Sequence, residues 1–467
     1  MQGSRIYLSL FIPVFRRSQY QIAIHYGDEN TLNTDYAQTL SELIQCRTVS
    51  YYGQTDKSCF YEFHGLLRKK FPNIFAACDI EDFDGSLLLR WKGKNSAEKP
   101  LLLMSHHDVV DAQGQWTHPP FSGDIADGFV WGRGTLDTKG NLWAMLQAAD
   151  ELAEQGFVPA RDVYFESACT EETDGTGADN ITKALEERGI EFFMVLDEGG
   201  MIMHDPIGGA NGDFAMIGVG EKSVSDVKFI ARSGGGHAST PPKDTPLVRL
   251  GKFMAEVERS HIFKAHLTRV TREMLRRMSP YVKGALHPVF AHPNLFAIPL
   301  KLAMPAVSPT AGAMLKTTVA FTMASGSLST NSIPNEAWVV GNMRFSHHQG
   351  IEGSMEAITK IAKKYDIDIE ILDPGFFSHL SDYNGEAFRL VEDAVGEVFP
   401  GVVPTPYIMT GASDCRYFSR VCRSCFRFAP FKIDDRQLES IHGSDENVGI
   451  DTLEPAVRFF RYIIEHI

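Results

Sequence analysis

The sequence predicts an α/β protein in which a mostly parallel sheet carries helices on both faces and a smaller α+β domain is inserted into the chain. Three observations lead to this prediction. Short apolar runs alternate with a helical pattern between residues 100 and 200. A second series of strands and helices, in a different order, begins near Ser223. The 467 residues also exceed the roughly 250 to 300 over which a single hydrophobic core grows, so two domains are expected.

The first domain is indicated by strands that flank a long helix. The runs PLLLM, DVYFESAC and FFMVLDEGG are predicted strands. Residues 138–156 form a predicted helix with Leu142, Met145 and Leu152 on one face. This order is typical of a parallel sheet, and such sheets bind ligands at the carboxyl ends of their strands.

The second domain has a ferredoxin-like order. The runs DVKFIAR, KTTVAFTM, AWVVGNMRF and IDIEIL are predicted strands. Pro246 opens one predicted helix, and another follows AWVVGNMRF, which gives the order βαββαβ. We therefore predict that residues 222–373 form the inserted domain and that residues 1–221 and 374–467 form the first domain.

The composition indicates a ligand that is not a polyanion. The formal net charge is −14, whereas binding to nucleic acid or to an anionic membrane needs a basic surface. We expect a small molecule or a short peptide, and no nucleic acid.

The cysteines and the apolar segments bear on location. Seven scattered cysteines, an odd number, predict reduced thiols and a cytoplasmic protein. The N-terminal run IYLSLFIPVF has the length of a signal-peptide core but contains Pro13 and precedes Arg16, so a secretion signal stays an open alternative. No segment predicts a membrane span. The apolar-rich residues 285–307 contain polar residues and prolines and predict a domain insertion.

Acidic and histidine clusters follow the predicted strands of the first domain. SHHDVV follows PLLLM, GRGTLDTKG follows FVW, CTEETDGTG ends DVYFESA, and DEGG ends FFMVL. An isolated buried carboxylate costs several kcal/mol unless it is paired or metal-bound. Four such clusters at one edge of a sheet therefore need shared positive charge, which a pair of metal ions would supply.

Two of these clusters divide into roles. Side chains alternate along an extended chain, so His106 and Asp108 point the same way and His107 points oppositely. We predict His106 as a metal ligand, Asp108 as the group that orients it, and His107 as structural. Glu171 and Glu172 are adjacent, so one can bind metal while the other faces a bound water and moves protons.

With the late motif IHGSDE, these clusters resemble a family of dinuclear zinc metallopeptidases. The family contains acetylornithine deacetylase, succinyl-diaminopimelate desuccinylase, aminoacylases and carboxypeptidase S. The motifs run in the family's order from residue 106 to residue 442. The segment KTTVAFTMASG and the apolar insertion before it most resemble the branch of carboxypeptidase S and N-fatty-acyl-amino-acid hydrolases.

The resemblance implies a set of site residues. Glu171 would be the general base, and the peptide bond after Asp137 would be cis. Asp197 is preferred over Glu198, and Asp137 would bridge the two ions. The implied ligands are His106, Asp137, Glu172, Asp197 and His442. The implied substrate-binding residues are His237, Asn331, Arg344, Gly411 and Arg416.

The resemblance also implies the reaction, which is hydrolysis of an amide or peptide bond next to a free carboxylate. The enzyme would be a carboxypeptidase or dipeptidase, or alternatively an N-acyl-amino-acid deacylase. A non-catalytic metal-stabilised binding module is the alternative from another class. Two Zn²⁺ ions are expected, with Co²⁺ or Mn²⁺ as alternatives, and so is a homodimer formed through the inserted domain. Ser105 and Asp111 depart from the family's usual glycine and proline, which affects loop shape but removes no ligand.

Overall fold

The computed structural model describes residues 32–307 and 309–467. The apolar N-terminal run lies outside the described residues, and the cytoplasmic location stays a prediction. Within the two described ranges, no helix is both long and apolar enough to cross a bilayer. All seven cysteines fall in these ranges and each is free, in agreement with the prediction of reduced thiols.

The first part of the chain, up to Glu221, combines helices and strands. Its elements are α1 (Leu32–Gln45), α2 (Ser58–Lys70), α3 (Pro72–Ala77), β1 (Cys78–Phe83), β2 (Ser86–Trp91), β3 (Leu101–Met104), β4 (Ile125–Ala126), β5 (Phe129–Trp131), α4 (Lys139–Glu154), β6 (Val163–Ser167), α5 (Thr176–Glu187), β7 (Met194–Asp197), β8 (Ile202–His204) and β9 (Asp213–Glu221). The helix predicted at residues 138–156 is α4. It ends just before Gly156, whose positive φ of 73° closes the helix.

The middle part carries a second set of strands with a helical segment between them. Its elements are β10 (Ser223–Arg232), β11 (Gly236–His237), α6 (Pro246–Arg259), α7 (Arg269–Met278), 3₁₀ turns at Ser279–Tyr281 and Gly284–Leu286, α8 (His287–Ala291), α9 (Ala297–Val307), α10 (Pro309–Leu315), β12 (Thr318–Ser325), β13 (Ser332–Ile333), β14 (Glu336–Phe345), α11 (Gly350–Lys364) and β15 (Asp368–Ile371).

The last part returns to the first sheet. Its elements are α12 (Glu386–Val398), β16 (Val403–Met409), α13 (Cys415–Phe418), β17 (Cys425–Arg427), β18 (Lys432–Ile433), α14 (Asp435–Ser440), β19 (Asn447–Gly449), a 3₁₀ turn at Ile450–Thr452 and α15 (Leu453–His466).

The large sheet has the strand order β1-β2-β6-β3-β7-β17-β9-β8-β18, and β16 pairs with β9. β3 is parallel to β6 and to β7, and β7 is parallel to β17, so the centre of the sheet is parallel. All four side chains of β3 are buried. Leu101 and Leu103 pack with residues of α4, whereas Leu102 and Met104 pack on the other face with residues of α5. Helices on both faces explain why this strand is uniformly apolar.

The second sheet has the order β12-β14-β10-β15 and is antiparallel throughout. Helices α6 and α11 bury their apolar residues against it. The order βαββαβ is ferredoxin-like, so the predicted fold class is confirmed for both sheets. The four strands lie between Ser223 and Ile371, and the domain boundaries at residues 221/222 and 373/374 stay predictions.

The helical segment between α6 and β12 includes residues 285–307. It packs against the large sheet, because Met274, Leu300 and Met304 share a core with Phe214 and Met216 of β9. This segment therefore packs on β9 of the large sheet.

The parallel strands position the site. β3, β6 and β7 end at Met104, Ser167 and Asp197, and their carboxyl ends lie at one edge because the strands run in the same direction. The acidic and histidine segments begin at this edge.

Candidate metal centre

His106 lies directly after β3 and is buried. Its Nδ1 lies 2.9 Å from the backbone oxygen of Asp108, and its Nε2 lies 3.1 Å from Oδ1 of Asp137. Burial alone would lower the pKa of His106, but hydrogen bonds with Asp108 and Asp137 outweigh burial and hold this pKa well above its usual value. The ring is thereby fixed with Nε2 directed towards the carboxylates.

Asp108 contacts Nδ1 of His106, and its role as the group that orients this ring stays a prediction. Its backbone oxygen is closer to Nδ1 of His106 than its carboxylate is, since Oδ1 lies at 3.4 Å. The carboxylate accepts hydrogen bonds from Ser50 Oγ at 2.6 Å and from the backbone N–H groups of Glu171 and Glu172 at 3.2 and 3.1 Å. Asp108 therefore joins the end of β3 to the loop after β6.

Asp137 lies between two histidines from distant parts of the chain. Its Oδ1 faces His106 at 3.1 Å, and its Oδ2 faces Nε2 of His442 at 3.0 Å. Burial opposes ionisation, but the hydrogen bonds with both histidines outweigh it and keep the pKa of Asp137 below its usual value. The peptide bond between Asp137 and Thr138 is cis. Each oxygen of Asp137 faces a different imidazole, which is the arrangement expected of a bridging ligand.

His442 closes the site from the C-terminal part of the chain. Its side chain is 54% exposed, and Nε2 lies 3.1 Å from Oε2 of Glu172 as well as close to Asp137. Hydrogen bonds with Asp137 and Glu172 raise the pKa of His442 to about 10. Its backbone has a positive φ of 60°, a conformation that non-glycine residues seldom adopt.

Glu171 and Glu172 diverge as expected of neighbours on a turn. Glu172 reaches His442, whereas Oε2 of Glu171 lies 3.9 Å from Nε2 of His106. Burial raises the pKa of Glu171 to about 8; the charge of His106 opposes this shift and that of Glu172 adds to it. Burial also raises the pKa of Glu172, and Asp137 adds to that shift.

Asp197 and Glu198 follow β7. Asp197 is buried, and its two oxygens accept hydrogen bonds from the backbone N–H groups of Glu198 at 2.8 Å and Cys415 at 2.9 Å. Burial raises its pKa, while hydrogen bonding and the charge of Arg427 oppose the shift. The pKa of Glu198 lies well above its usual value because of burial and the charge of Asp197. The choice of Asp197 as ligand stays a prediction.

The donor set fits divalent cations. One ligand atom from each of His106, Asp137 and Glu172 lies within 4.8 Å of the others. Further buried carboxyl oxygens, on Glu166 and Asp414 as well as Oε1 of Glu172, have no hydrogen-bond partner among the described residues. Imidazole nitrogens and carboxylate oxygens are the ligands that zinc accepts, and a surplus of buried negative charge is stabilised by bound cations.

His107 takes no part in this cluster. It is fully buried, and its Nδ1 lies 2.9 Å from Ser167 Oγ. Its ring stacks on Phe63 with centroids 5.4 Å apart, and burial keeps the pKa of His107 well below its usual value. The predicted structural role agrees with this packing.

Glu446 is a functional candidate that the sequence did not single out, although it ends the IHGSDE motif. Its carboxylate is fully buried and pairs with Arg133 Nη1 at 2.6 Å. It also accepts the backbone N–H groups of Gly134, Leu136 and Asp137 at 2.9 to 3.1 Å. Glu446 therefore fixes the turn that presents Asp137. The motif gave its position, but hydrogen bonding to backbone leaves no pattern in a sequence.

Two of the predicted substrate-binding residues lie near Glu171. Arg344 projects from β14 and is half-buried, and only its Nε is hydrogen-bonded among the described residues, to Asn342 at 2.9 Å. Arg416 of α13 bonds the backbone oxygen of Ser413 at 3.0 Å. Both guanidinium groups interact electrostatically with Glu171.

The contacts of the other predicted substrate-binding residues do not include the residues of the cluster. His237 is exposed on β11, which pairs with β13, and its Nδ1 lies 2.7 Å from Ser239 Oγ. Asn331 is next to it, since its backbone oxygen accepts Ala238 N–H at 2.9 Å. A Cβ at Gly411 would meet no atom within 4 Å, so steric space does not require glycine there.

A family model described as peptidase family M20/M25/M40 matches residues 102–466, which include every residue of the cluster. The chain belongs to this family. It is 30% identical over 460 residues to a probable carboxypeptidase S-like 2 of Dictyostelium discoideum, which covers 95% of this chain and 87% of that protein. It is 29% identical over 438 residues to the human N-fatty-acyl-amino acid synthase/hydrolase PM20D1, which covers 92% and 87%.

Two solved structures share the fold, and the first is described as a member of the M20 family. A metallo-carboxypeptidase, Sso-CP2 from Sulfolobus solfataricus, superposes with a TM-score of 0.69 at 18% identity, covering 92% of this chain and 98% of that one. Human carnosine dipeptidase 1 superposes with a TM-score of 0.65 at 13% identity, covering 92% and 95%. This M20 protein is a hydrolase of peptide or amide bonds, and its reaction depends on metal.

We predict that Glu446→Gln weakens metal binding about 10- to 100-fold, the usual cost of losing a group that orients a ligand. The amide keeps the shape of the side chain but loses the charge and one acceptor, so the turn before Asp137 loosens. Metal affinity is measured by competition with a chelator. The exposed Glu397→Gln is the control and should bind metal normally. Equal affinities for the two variants would contradict the role of Glu446.

Proposed function

We propose that the protein uses two divalent cations to hydrolyse the amide bond that joins an acyl or peptidyl group to an amino acid with a free carboxylate. The observation that carries this proposal is the convergence of His106, Asp137, Glu172 and His442, next to a Glu171 that interacts electrostatically with Arg344 and Arg416. The histidines and carboxylates suit metal ions that activate a water molecule. The guanidinium groups suit the binding of a substrate carboxylate.

The ions are assigned as zinc, which His106, Asp137, Glu172, Asp197 and His442 would hold, with Asp137 as the ligand that both ions would share. Nitrogen and oxygen donors of this kind also accept Co²⁺ or Mn²⁺. When bound, the ions supply Lewis acidity, which lowers the pKa of a water molecule and polarises the substrate carbonyl. A structurally similar protein of 14% identity, from Bacillus subtilis, is described as a dinuclear metal-binding peptidase of the M20 family, which supports the number two.

Glu171 is assigned as the general base. It lies beside the ligands, and its Oε2 is 3.9 Å from Nε2 of His106. Burial raises the pKa of Glu171 to about 8, and a carboxyl that titrates near neutral pH can take a proton and later return it to the leaving nitrogen. The carboxylate of Asp108 accepts a hydrogen bond from the backbone N–H of Glu171 and so fixes the backbone of this residue.

Arg344 is assigned as the group that binds the substrate carboxylate. Its Nη atoms have no hydrogen-bond partner among the residues described, and its neighbours include both Arg416 and Glu171. A planar guanidinium pairs with a carboxylate through two parallel hydrogen bonds. The two cationic groups thus favour a substrate whose cleaved amide lies next to a carboxylate.

Two substrate classes fit this requirement, a peptide with a free C-terminus and an N-acyl amino acid. The first is supported by the carboxypeptidase S-like relatives. The second is supported by the N-fatty-acyl-amino acid hydrolases of several vertebrates and by the apolar composition of residues 285–307. The non-catalytic module is not retained, because the family relation shows a hydrolase.

We further infer that the chain forms a homodimer through the second sheet. β12 lies at one end of that sheet, and Met323 on it is 59% exposed. Leu247 and Leu328 are exposed beside the same edge. A free strand edge with exposed apolar side chains suits pairing with a second copy. In such a dimer, the exposed His237 would serve the partner's site and stabilise the tetrahedral oxyanion, and Asn331 would bind substrate beside it.

Glu171→Gln should reduce kcat by at least about 10³-fold, because the amide cannot accept the water's proton. Its metal content should equal that of the wild type, since Glu171 is not an assigned ligand. Turnover and metal stoichiometry are measured on the same samples, with the exposed Glu187→Gln as control. Retained turnover would exclude Glu171 as the base, whereas lost metal would make it a ligand.

Arg344→Met should lower kcat/KM about 10- to 100-fold for substrates with a free carboxylate, which corresponds to a lost hydrogen bond between charged groups of about 1.5 to 3 kcal/mol. Substrates that end in a primary amide should be poor for the wild type and lose little more in the variant. The panel contains dipeptides, N-lauroyl amino acids and their amides. The exposed Arg232→Met on the same sheet is the control. An equal loss on both substrate forms would contradict carboxylate recognition by Arg344.

Met323→Lys should convert the dimer into a monomer, because it places a charge on the pairing edge. The molecular mass, measured by light scattering, should be twice 52.0 kDa for the wild type and 52.0 kDa for the variant. The control is Ile371→Lys, at an exposed position on β15 at the other edge of the sheet, which should leave the molecular mass unchanged. A wild-type protein that is monomeric, or a variant that remains dimeric, would contradict this interface.

A further inference from the structure

The helical segment at residues 261–316 has a charge opposite to that of the whole chain. It contains eight lysines and arginines and a single acidic residue, Glu273, whereas the rest of the chain contains 37 basic and 58 acidic residues. The net charge of −14 therefore conceals a strongly basic unit. The basic residues are Lys264, Arg269, Arg272, Arg276, Arg277, Lys283, Lys301 and Lys316.

Helix α9 of this segment presents an apolar face to solvent. Leu295, just before the helix, is 80% exposed, and Ile298 and Leu302 are 69% and 73% exposed. At 100° per residue, these positions lie on one side of the helix, opposite the buried Leu300 and Met304. The buried side anchors α9 to the large sheet, so the exposed leucines and isoleucine are not needed for that core.

Positive charge lies at the border of this face. Lys301 belongs to α9 and neighbours Ile298 on the helix surface. Burial lowers the pKa of His266, and the nearby charges of Arg272 and Lys301 lower it further. Lys283 is exposed and Lys301 is partly exposed. Neither lysine has a carboxylate within 4.0 Å among the described residues, so their charges are available to an outside partner.

We propose that this segment is a docking surface for an anionic lipid bilayer. The apolar face of α9 would enter the interface between headgroups and acyl chains, and Lys301 and Lys283 would pair with anionic headgroups. The combination of exposed leucines with unpaired basic residues selects this occupant. A second copy on the same face would bring two surfaces of like charge together, and a polyanion without an apolar phase would leave the leucines in water.

The proposal does not depend on which amide is hydrolysed, because it concerns binding and not turnover. Its test uses the full chain and vesicles of phosphatidylcholine, with or without 30% phosphatidylserine, in a flotation assay at physiological salt. The wild type should bind the anionic vesicles at least about tenfold more strongly than the neutral ones, and added salt should weaken this binding.

Two variants separate the contributions. Leu295→Ser with Ile298→Ser and Leu302→Ser should reduce binding to anionic vesicles at least about tenfold. Lys283→Glu with Lys301→Glu should remove the preference for anionic over neutral vesicles. The controls are Leu438→Ser, at an exposed position on α14, and Lys94→Glu in an exposed loop, both of which should bind as the wild type does. The melting temperature of each variant shows that it is folded.

Three results would overturn the proposal. The first is a wild type that does not float with anionic vesicles. The second is undiminished binding by the triple serine variant while it remains folded. The third is a triple variant that changes the oligomeric mass without changing vesicle binding, which would assign the face to a second copy.

Discussion

Mutual repulsion among buried carboxylates is the constraint on which the arrangement of this protein depends. The parallel strands β3, β6 and β7 end at one edge, and each delivers acidic residues there. Such a concentration of negative charge is unfavourable unless cations offset it. The histidines at 106 and 442, and the guanidinium groups of Arg344 and Arg416 that interact electrostatically with Glu171, supply part of that charge, and the donor set suits metal ions for the rest.

The residues at this edge could be predicted because strand ends are visible in a sequence. His106, Asp137, Glu171 and Glu172 each follow an apolar run, and the structure brings all four together with His442. The fold class was predictable for the same reason, since periodicity distinguishes α4 from the strands beside it. Side-chain alternation selected His106 as the ligand over His107, whereas family resemblance supplied the roles of Asp137 and His442 and the choice of Glu171 as the base. All of these roles remain predictions.

Other features could not be predicted because they depend on distant backbone. Glu446 acts on a turn some 310 residues earlier through hydrogen bonds to N–H groups, which no side-chain pattern records. The alternation argument placed His107 away from the metal, but β3 ends at Met104 and the packing against Phe63 is what holds that ring. The net charge of the whole chain indicated that no anionic partner binds, because a sum over all residues does not show the basic segment within an acidic protein.

Two segments of the chain join the large sheet to the second sheet. The chain leaves the large sheet after β9 and returns to it through β16, which is parallel to β9. Backbone hydrogen bonds from Lys222 to Met409 and from Ser381 to Val219 tie the outgoing and incoming segments together at 3.1 and 2.8 Å. The two segments therefore lie side by side. Because backbone hydrogen bonds close this junction, a change of length within the antiparallel sheet beyond it would leave the strand order that gathers the carboxylates unchanged.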